Sequence, residues 1–310
     1  MVEVEKIELK VTTREAGRRI DIAMMEFAPF HTSRTVLQNL IHIGKITVNS
    51  KKTKPSYKLK VGDFVEAFFP PPEIPQIPAE EIPLSIIYED EYMIVVNKQP
   101  GLVTHPTLKK TTGTLVNALL WRFKGETQPF IVHRLDKDTS GVIVVAKNPE
   151  TQRILSAQFK ARKTKKTYFA LVEGVPKEVK GEIDAPIARN PQVRTRMDVL
   201  NWGRRAVTTY KIMKKFDSWA LLKVKIMTGR THQIRVHMRH IGYPIVGDKI
   251  YGVRPIHPLE WVDRQMLHAA VLELYHPITG KSMNFVAPLA EDFKNALKKL
   301  ASFREVGHVQ

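Results

Sequence analysis

His133-Arg134-Leu135-Asp136-Lys137-Asp138-Thr139-Ser140-Gly141 sets one carboxylate, Asp136, among cationic neighbours in a turn-forming segment between two apolar runs. Upstream, Ile131-Val132 reads as the end of a strand; downstream, Val142-Ile143-Val144-Val145-Ala146 reads as a buried one. Asp136 is therefore expected on a loop held by rigid elements, where functional groups collect. Cationic neighbours favour the charged form of a carboxylate, which suits a nucleophile or a base. The plain alternative is a capped turn in which Asp138, Thr139 and Ser140 satisfy backbone donors.

The 310 residues are 43% hydrophobic, enough for one large or two ordinary domains. No apolar run approaches the roughly 20 residues of a membrane-spanning helix, and the charged, alternating start carries no secretory pattern. A soluble, cytoplasmic protein is expected. The absence of cysteine removes disulfides, thiolate nucleophiles and cysteine-ligated zinc, and with them the zinc-dependent base deaminases. Lys and Arg outnumber Asp and Glu by 49 to 31, a net charge of +18, which points to a polyanionic partner, nucleic acid first.

Residues 70–83 hold six prolines in fourteen positions and read as an extended linker. The expected division is 1–75 for a small module, 76–83 for the Pro-rich link and 84–310 for a larger domain. In the small module Ile20, Ala23, Met24 and Phe27 fall at helical spacing. Leu37, Leu40 and Ile41 do so again, after the candidate cap Thr32-Ser33 and before Gly44. A short hairpin over 45–51 and a closing strand after Gly62-Asp63 follow. In the larger domain, helical periods at 114–123 and 149–159 lie among many short strands, and Pro100-Gly101 suggests a type II turn. The fold class is α+β.

Two further strings carry chemistry. Lys160-Ala161-Arg162-Lys163-Thr164-Lys165-Lys166 places five cations in seven residues before Thr167-Tyr168-Phe169, suited to holding phosphates while a ring stacks on a base. Gly229-Arg230-Thr231-His232-Gln233-Ile234-Arg235-Val236-His237 reads as a helix capped by Thr231. Ile234, Met238 and Ile241 form its apolar face, with His232, Arg235 and Arg239 on an adjacent polar one. A helical arginine can hold a carboxylate through charge-assisted bonds; Arg235 is the first choice for Asp136 and Arg230 the rival. No phosphate loop, dinucleotide fingerprint or helical zinc pair is present, so no metal and no cofactor is expected.

These strings resemble the signatures of the RluA/RluD-type RNA pseudouridine synthases: HRLDxxTSG at 133–141, a Lys-x-Tyr element ending at Tyr168, GRTHQIRVH at 229–237, and an LHA element at 267–269. Residues 33–49 match SRxxxxxLIxxGxIxVN, an arrangement similar to the alpha-L module shared with ribosomal protein S-four. The resemblance implies a pseudouridine synthase fold with a mixed, mainly antiparallel sheet flanked by helices, preceded by a small α+β RNA-binding module. It implies Asp136, Tyr168 and Arg235 as catalytic. It implies RNA contacts from Arg134, Arg230, His232, Gln233, Leu267, Lys165 and Lys166, with Arg34 and Lys45 from the small module. Large-subunit ribosomal RNA is the first expected substrate and transfer RNA the second; an RNA-binding or ribosome-assembly protein without turnover is the reading from another class.

Overall fold

The computed structural model describes residues 5–29, 32, 34–69, 77–107, 111–193, 195–252, 259 and 261–306. The chain divides into two compact units, Met1–Gln76 and Ile77–Gln310. Of the proline-rich stretch, 77–83 carry no helix or strand, and 70–76, like the candidate cap Ser33, lie outside the described residues.

In the first unit, β1 (Glu5–Lys10) is followed by α1 (Ile20–Ala23), a 3₁₀ turn, α2 (Arg34–Ile43), β2 (Ile46–Val48), β3 (Lys51–Lys52) and β4 (Phe64–Phe69). The strands form one antiparallel sheet in the order β1-β4-β2-β3. Asn49 and Ser50 both have positive φ, the turn that a two-residue hairpin demands. Gly44, also at positive φ, closes α2. Ile20, Met24, Leu37, Ile41, Ile46 and Val65 are fully buried and join helices to sheet.

Asp21 is buried with them, and Arg19, Arg34 and Gln38 all donate hydrogen bonds to it at 2.7–3.1 Å. Arg34, expected to contact RNA, sets Nε and Nη2 on Asp21 while its side chain stays half exposed, and Lys45 is exposed as well. Burial pushes the Asp21 carboxyl up, but the bonds from Arg19, Gln38 and Arg34 more than reverse this and lower it from 3.8 to about 2.

The second unit is built on a ten-stranded sheet. Its strands are β5 (Ser85–Glu89), β6 (Met93–Lys98), β7 (Phe130–Ile131), β8 (Ser140–Ala146), β9 (Lys165–Glu173), β10 (Lys180–Asp184), β13 (Val207–Lys215), β14 (Trp219–Ile226), β15 (Leu267–Tyr275) and β16 (Ser282–Val286). The pair β11 (Ile187–Arg189) and β12 (Met197–Val199) forms a separate ribbon. The main order is β10-β13-β14-β9-β15-β8-β6-β5, with β7 beside β8 and β16 beside β15. Every pairing is antiparallel except β15 with β8, where His268 faces Ser140 and Ala269 faces Gly141. The helices are α3 (Leu115–Phe123), α4 (Pro149–Lys160), α5 (Gln233–His240) and α6 (Glu291–Val306). Thr114 and Asn117 close a capping box on α3, and Asn148 caps α4 through the Thr151 N–H at 2.8 Å. All of β8 is buried, as its unbroken apolar run requires.

Two outcomes follow. A Cβ added at Gly141, whose φ is +115°, would lie 2.1 Å from the Ala269 carbonyl oxygen. Gly141→Ala is therefore expected to cost roughly 3 kcal/mol or more, a fall of roughly 6–12 °C in the thermal midpoint of the second unit by calorimetry. For Asp21 the folded value lies below the ordinary one, so its stabilisation is complete above pH 3.8 and is withdrawn as the pH falls towards 2. Asp21→Asn should flatten the pH dependence of the first unit's thermal midpoint between about pH 4 and 2; an unaltered slope in circular dichroism would contradict this account.

Candidate active site

Four parts of the second unit converge because β8 and β15 start side by side in parallel. The loop before β8 carries Asp136, β15 begins with Leu267, β9 brings Tyr168, and the segment after β14 leads into α5. The backbone around Asp136 is held carbonyl by carbonyl. Thr104 Oγ1 donates to Leu135 O at 3.0 Å, Thr139 N–H to Asp136 O at 3.1 Å, Lys98 Nζ to Lys137 O at 2.9 Å, and Arg264 Nη1 to Asp138 O at 2.9 Å. Lys98 is fully buried and also donates to Gln99 O and Leu102 O, so all three of its protons are used. Burial pushes its amine down to about 7, against the pull of Asp138. Arg264 is itself fixed by two bonds to Asp292, at 2.6 and 2.8 Å.

Arg235 Nη1 donates to Asp136 Oδ2 at 2.9 Å, and the other edge of the same guanidinium forks onto Asp248, Nε to Oδ2 at 2.7 Å and Nη2 to Oδ1 at 2.8 Å. Burial opposes the charge on Arg235; the hydrogen bonds and charge of Asp248, then those of Asp136, overcome it and raise its pKa. Asp248 is fully buried, and its Oδ1 also accepts from the Ile250 and Tyr251 N–H groups. Burial raises this carboxyl, but Arg235 outweighs burial and leaves it below the carboxylate range. The Arg235 guanidinium lies 5.0 Å from the centre of the Tyr251 ring. The Tyr251 hydroxyl accepts from Met197 N–H and shares a hydrogen bond of 2.8 Å with His232 Nδ1. The other ring nitrogen, Nε2, faces Asp136 Oδ2 at 3.9 Å. Burial, helped by Arg235, holds His232 below its usual pKa against the charge of Asp136.

Asp136, His232 and Arg235 line a cleft of about 520 Å³. Seven cationic side chains line it, from Arg134, Lys160, Arg162, Lys166, Arg204, Arg230 and Arg235, against a single carboxylate, Asp136. Asp136 is 20% exposed, so it meets the cleft while its partner Arg235 stays 4% exposed behind it. Tyr168 and Leu267 supply buried apolar walls. Burial, and secondarily the charge of Asp136, pushes the Tyr168 phenol up, so it remains protonated. Its hydroxyl has no hydrogen-bond partner among the described residues.

Several sequence expectations change in detail. Arg235, the first choice, does pair with Asp136, whereas its rival Arg230 donates from Nε to Arg205 O at 3.1 Å. The helix starts at Gln233, with His232 rather than Thr231 at the cap, in a left-handed conformation and without a side-chain cap bond. This turn directs the imidazole to Tyr251 and Asp136. Arg235 lies in the interior rather than on a polar face, because Asp248 supplies a buried counter-charge. Gln233 has no polar atom to spare for a substrate: it donates to Val207 O and Thr208 Oγ1 and accepts from Thr228 Oγ1 and Arg230 N–H. Lys165 points out of the cleft lining and pairs with Glu273 at 3.0 Å, leaving Lys166 in the lining. Asp248 and Tyr251 escaped sequence reasoning; the signal was an acidic residue in the turn after the apolar Ile245-Val246-Gly247, three positions before a tyrosine. Among the described residues no group of three or more His, Asp or Glu side chains is placed to hold a metal ion.

Comparison with known proteins places the chain in a family. A protein of Chloroflexus aurantiacus named as an uncharacterized RNA pseudouridine synthase is 43% identical over 305 residues, 97% of this chain and 95% of that one. The chain belongs to the RNA pseudouridine synthase family. Residues 92–240 of this synthase match the family described as RNA pseudouridylate synthase. Ribosomal large subunit pseudouridine synthase D of Yersinia pestis is 41% identical over 313 residues, covering 95% of this chain and 96% of its own. The solved structure of human RNA pseudouridylate synthase domain containing 4 aligns with a TM-score of 0.58 at 26% identity, over 70% of this chain and 93% of that one. The enzyme is thus an isomerase that converts uridine in RNA to pseudouridine.

If Asp248 aims Arg235, then Asp248→Asn, which replaces one acceptor oxygen by a donor, should lower the single-turnover rate by roughly 10²-fold. RNA affinity should change by less than about threefold, since Asp248 has no access to the cleft. A rate within twofold of the parent would show that Asp136 needs no such support.

Proposed function

We propose that this synthase acts on uridine in large-subunit ribosomal RNA and that Asp136 is the residue acting on the ribose. The observation that carries the site is the lone cleft carboxylate, bonded to Arg235 at 2.9 Å and ringed by cations that suit a phosphate backbone. The substrate class is supported by relatives named ribosomal large subunit pseudouridine synthase D, 38–41% identical over 93–97% of this chain. Action on ribosomal RNA in bacteria fits a cytoplasmic location.

The reaction breaks the bond from ribose C1′ to uracil N1, turns the freed base, joins C5 to C1′, releases the proton on C5 and leaves N1 protonated, so that atoms and charge balance. Asp136 serves by attacking C1′ or by removing a proton from the sugar; either route needs a fixed carboxylate. The target must leave its stack, at roughly a few kcal/mol, and Arg134 at the cleft edge is suited to take the vacated place or hold the adjoining phosphate. The Tyr168 ring offers a stacking face for the detached base, and Leu267 excludes water beside it. The first unit, with Lys45 exposed, serves as an RNA-binding module.

Asp136→Asn should reduce release of tritium from RNA labelled at uracil C5 by at least roughly 10³-fold while leaving RNA affinity within about threefold. Equal losses of affinity and turnover would overturn the role of Asp136. Modification of transfer RNA, with ribosomal transcripts untouched, would overturn the substrate.

A further inference from the structure

The sheet of the second unit has a second charged surface, on the face away from the cleft. Tyr168 lines the cleft, and its cross-strand partners are Val224 and then Tyr210. Side chains alternate along a strand, so Lys223 and Lys225, on either side of Val224, project from the opposite face, as does Lys211 next to Tyr210. Part of that opposite face is covered: Phe293, Ala296 and Leu300 of α6 pack on Leu171, with Phe169 and Leu221 against the same cluster. Further along β14 the apolar residues give way to lysines.

The register there is unusual. Lys180 of β10 faces Lys211 of β13, and Lys211 faces Lys223 of β14, so three like charges stand in a row across three strands. Lys225 follows one step along the same face, opposite Thr209. Like charges set directly opposite destabilise a sheet. Among the described residues none of the four has an ion pair to relieve this, although Glu182 stands opposite Thr209 in the next row. The four lysines and Thr209 line a groove of about 420 Å³ with no carboxylate in its lining. Neighbouring strands lie roughly 4.8 Å apart, which makes the row a dense, regular array of positive charge.

We propose that this groove is a second RNA-binding site, which holds the phosphate backbone of a double-stranded segment away from the target nucleotide. The match is one of charge: a row that weakens the free sheet is relieved by a polyanion, and RNA is the polyanion this family handles. The proposal rests on RNA as the substrate and is independent of which RNA is modified. The cleft and the groove lie on opposite faces, so a substrate using both must reach around the sheet edge formed by β10. A short oligonucleotide held in the cleft alone cannot do so.

The test compares the parent with Lys180→Gln/Lys211→Gln/Lys223→Gln, using a 40-base-pair RNA duplex of arbitrary sequence and a 12-nucleotide oligouridylate as probes. Loss of three phosphate contacts lowers the slope of log affinity against log salt for the duplex by roughly 2.7, so its affinity loss between 50 and 200 mM salt shrinks by roughly 40-fold. The slope for the oligouridylate moves by less than about 1, and the thermal midpoint holds or rises as the repulsion is removed. Lys211→Thr alone, a strand-favouring replacement at the centre of the row, lowers the duplex slope by about 0.9 should the triple variant fold poorly. An unchanged duplex slope overturns the proposal. So do equal changes for both probes, which mark a general loss of charge, and so does a loss of binding to phosphatidylserine vesicles with the duplex slope intact, which marks a membrane surface.

Discussion

One buried guanidinium is shared by two carboxylates, and the catalytic cleft is arranged around it. Arg235 is worth little to the fold by itself, since a charge taken out of water costs several kcal/mol unless it is paired and bonded on every side. Asp248 removes that cost with a two-point fork and is itself satisfied by two backbone N–H groups. Only one edge of the guanidinium is then left, and it points at Asp136. The carboxylate facing the cleft is therefore positioned by a second one that lies outside its lining. A lysine at 235 has one point of charge and no fork, and cannot reproduce this division of labour.

The loop of Asp136 adds rigidity of a different kind. Four successive carbonyls, 135 to 138, each accept from a different donor, and two of those donors are the buried side chains of Lys98 and Arg264. A loop with its backbone so occupied has few other conformations to visit, which is the pre-organisation that covalent or acid–base chemistry on a ribose demands. The surrounding cations leave the same cleft strongly attractive to phosphate.

Much of this was legible in the chain. The unbroken apolar run 142–146 required a buried strand, Asn148-Pro149 and Thr114 announced two helices, and the setting of Asp136 singled it out. What was not legible has a common physical cause. Gln233 looks like a surface contact until its partners, more than ten residues away, are known; Val207 and Thr208 then absorb it. Asp248 was invisible for the same reason, since its meaning depends wholly on Arg235 thirteen residues earlier. The left-handed cap at His232 breaks the usual preference for threonine because the side chain is needed elsewhere. Local pattern revealed the elements, and long-range pairing decided which polar side chains were free.

The one parallel pairing between strands among the described residues, β8 with β15, joins Ser140 to His268 across 128 residues. Because the Asp136 loop leads into one of these strands and Leu267 opens the other, the amino-terminal half of the cleft emerges from the ribosome long before its opposite wall exists. Closing so wide a span is slow in entropic terms and leaves the edge of β8 unpaired in the meantime. A nascent chain of this synthase consequently passes through a stage at which its chemistry is encoded but unassembled, and it becomes competent only when the last third has been translated.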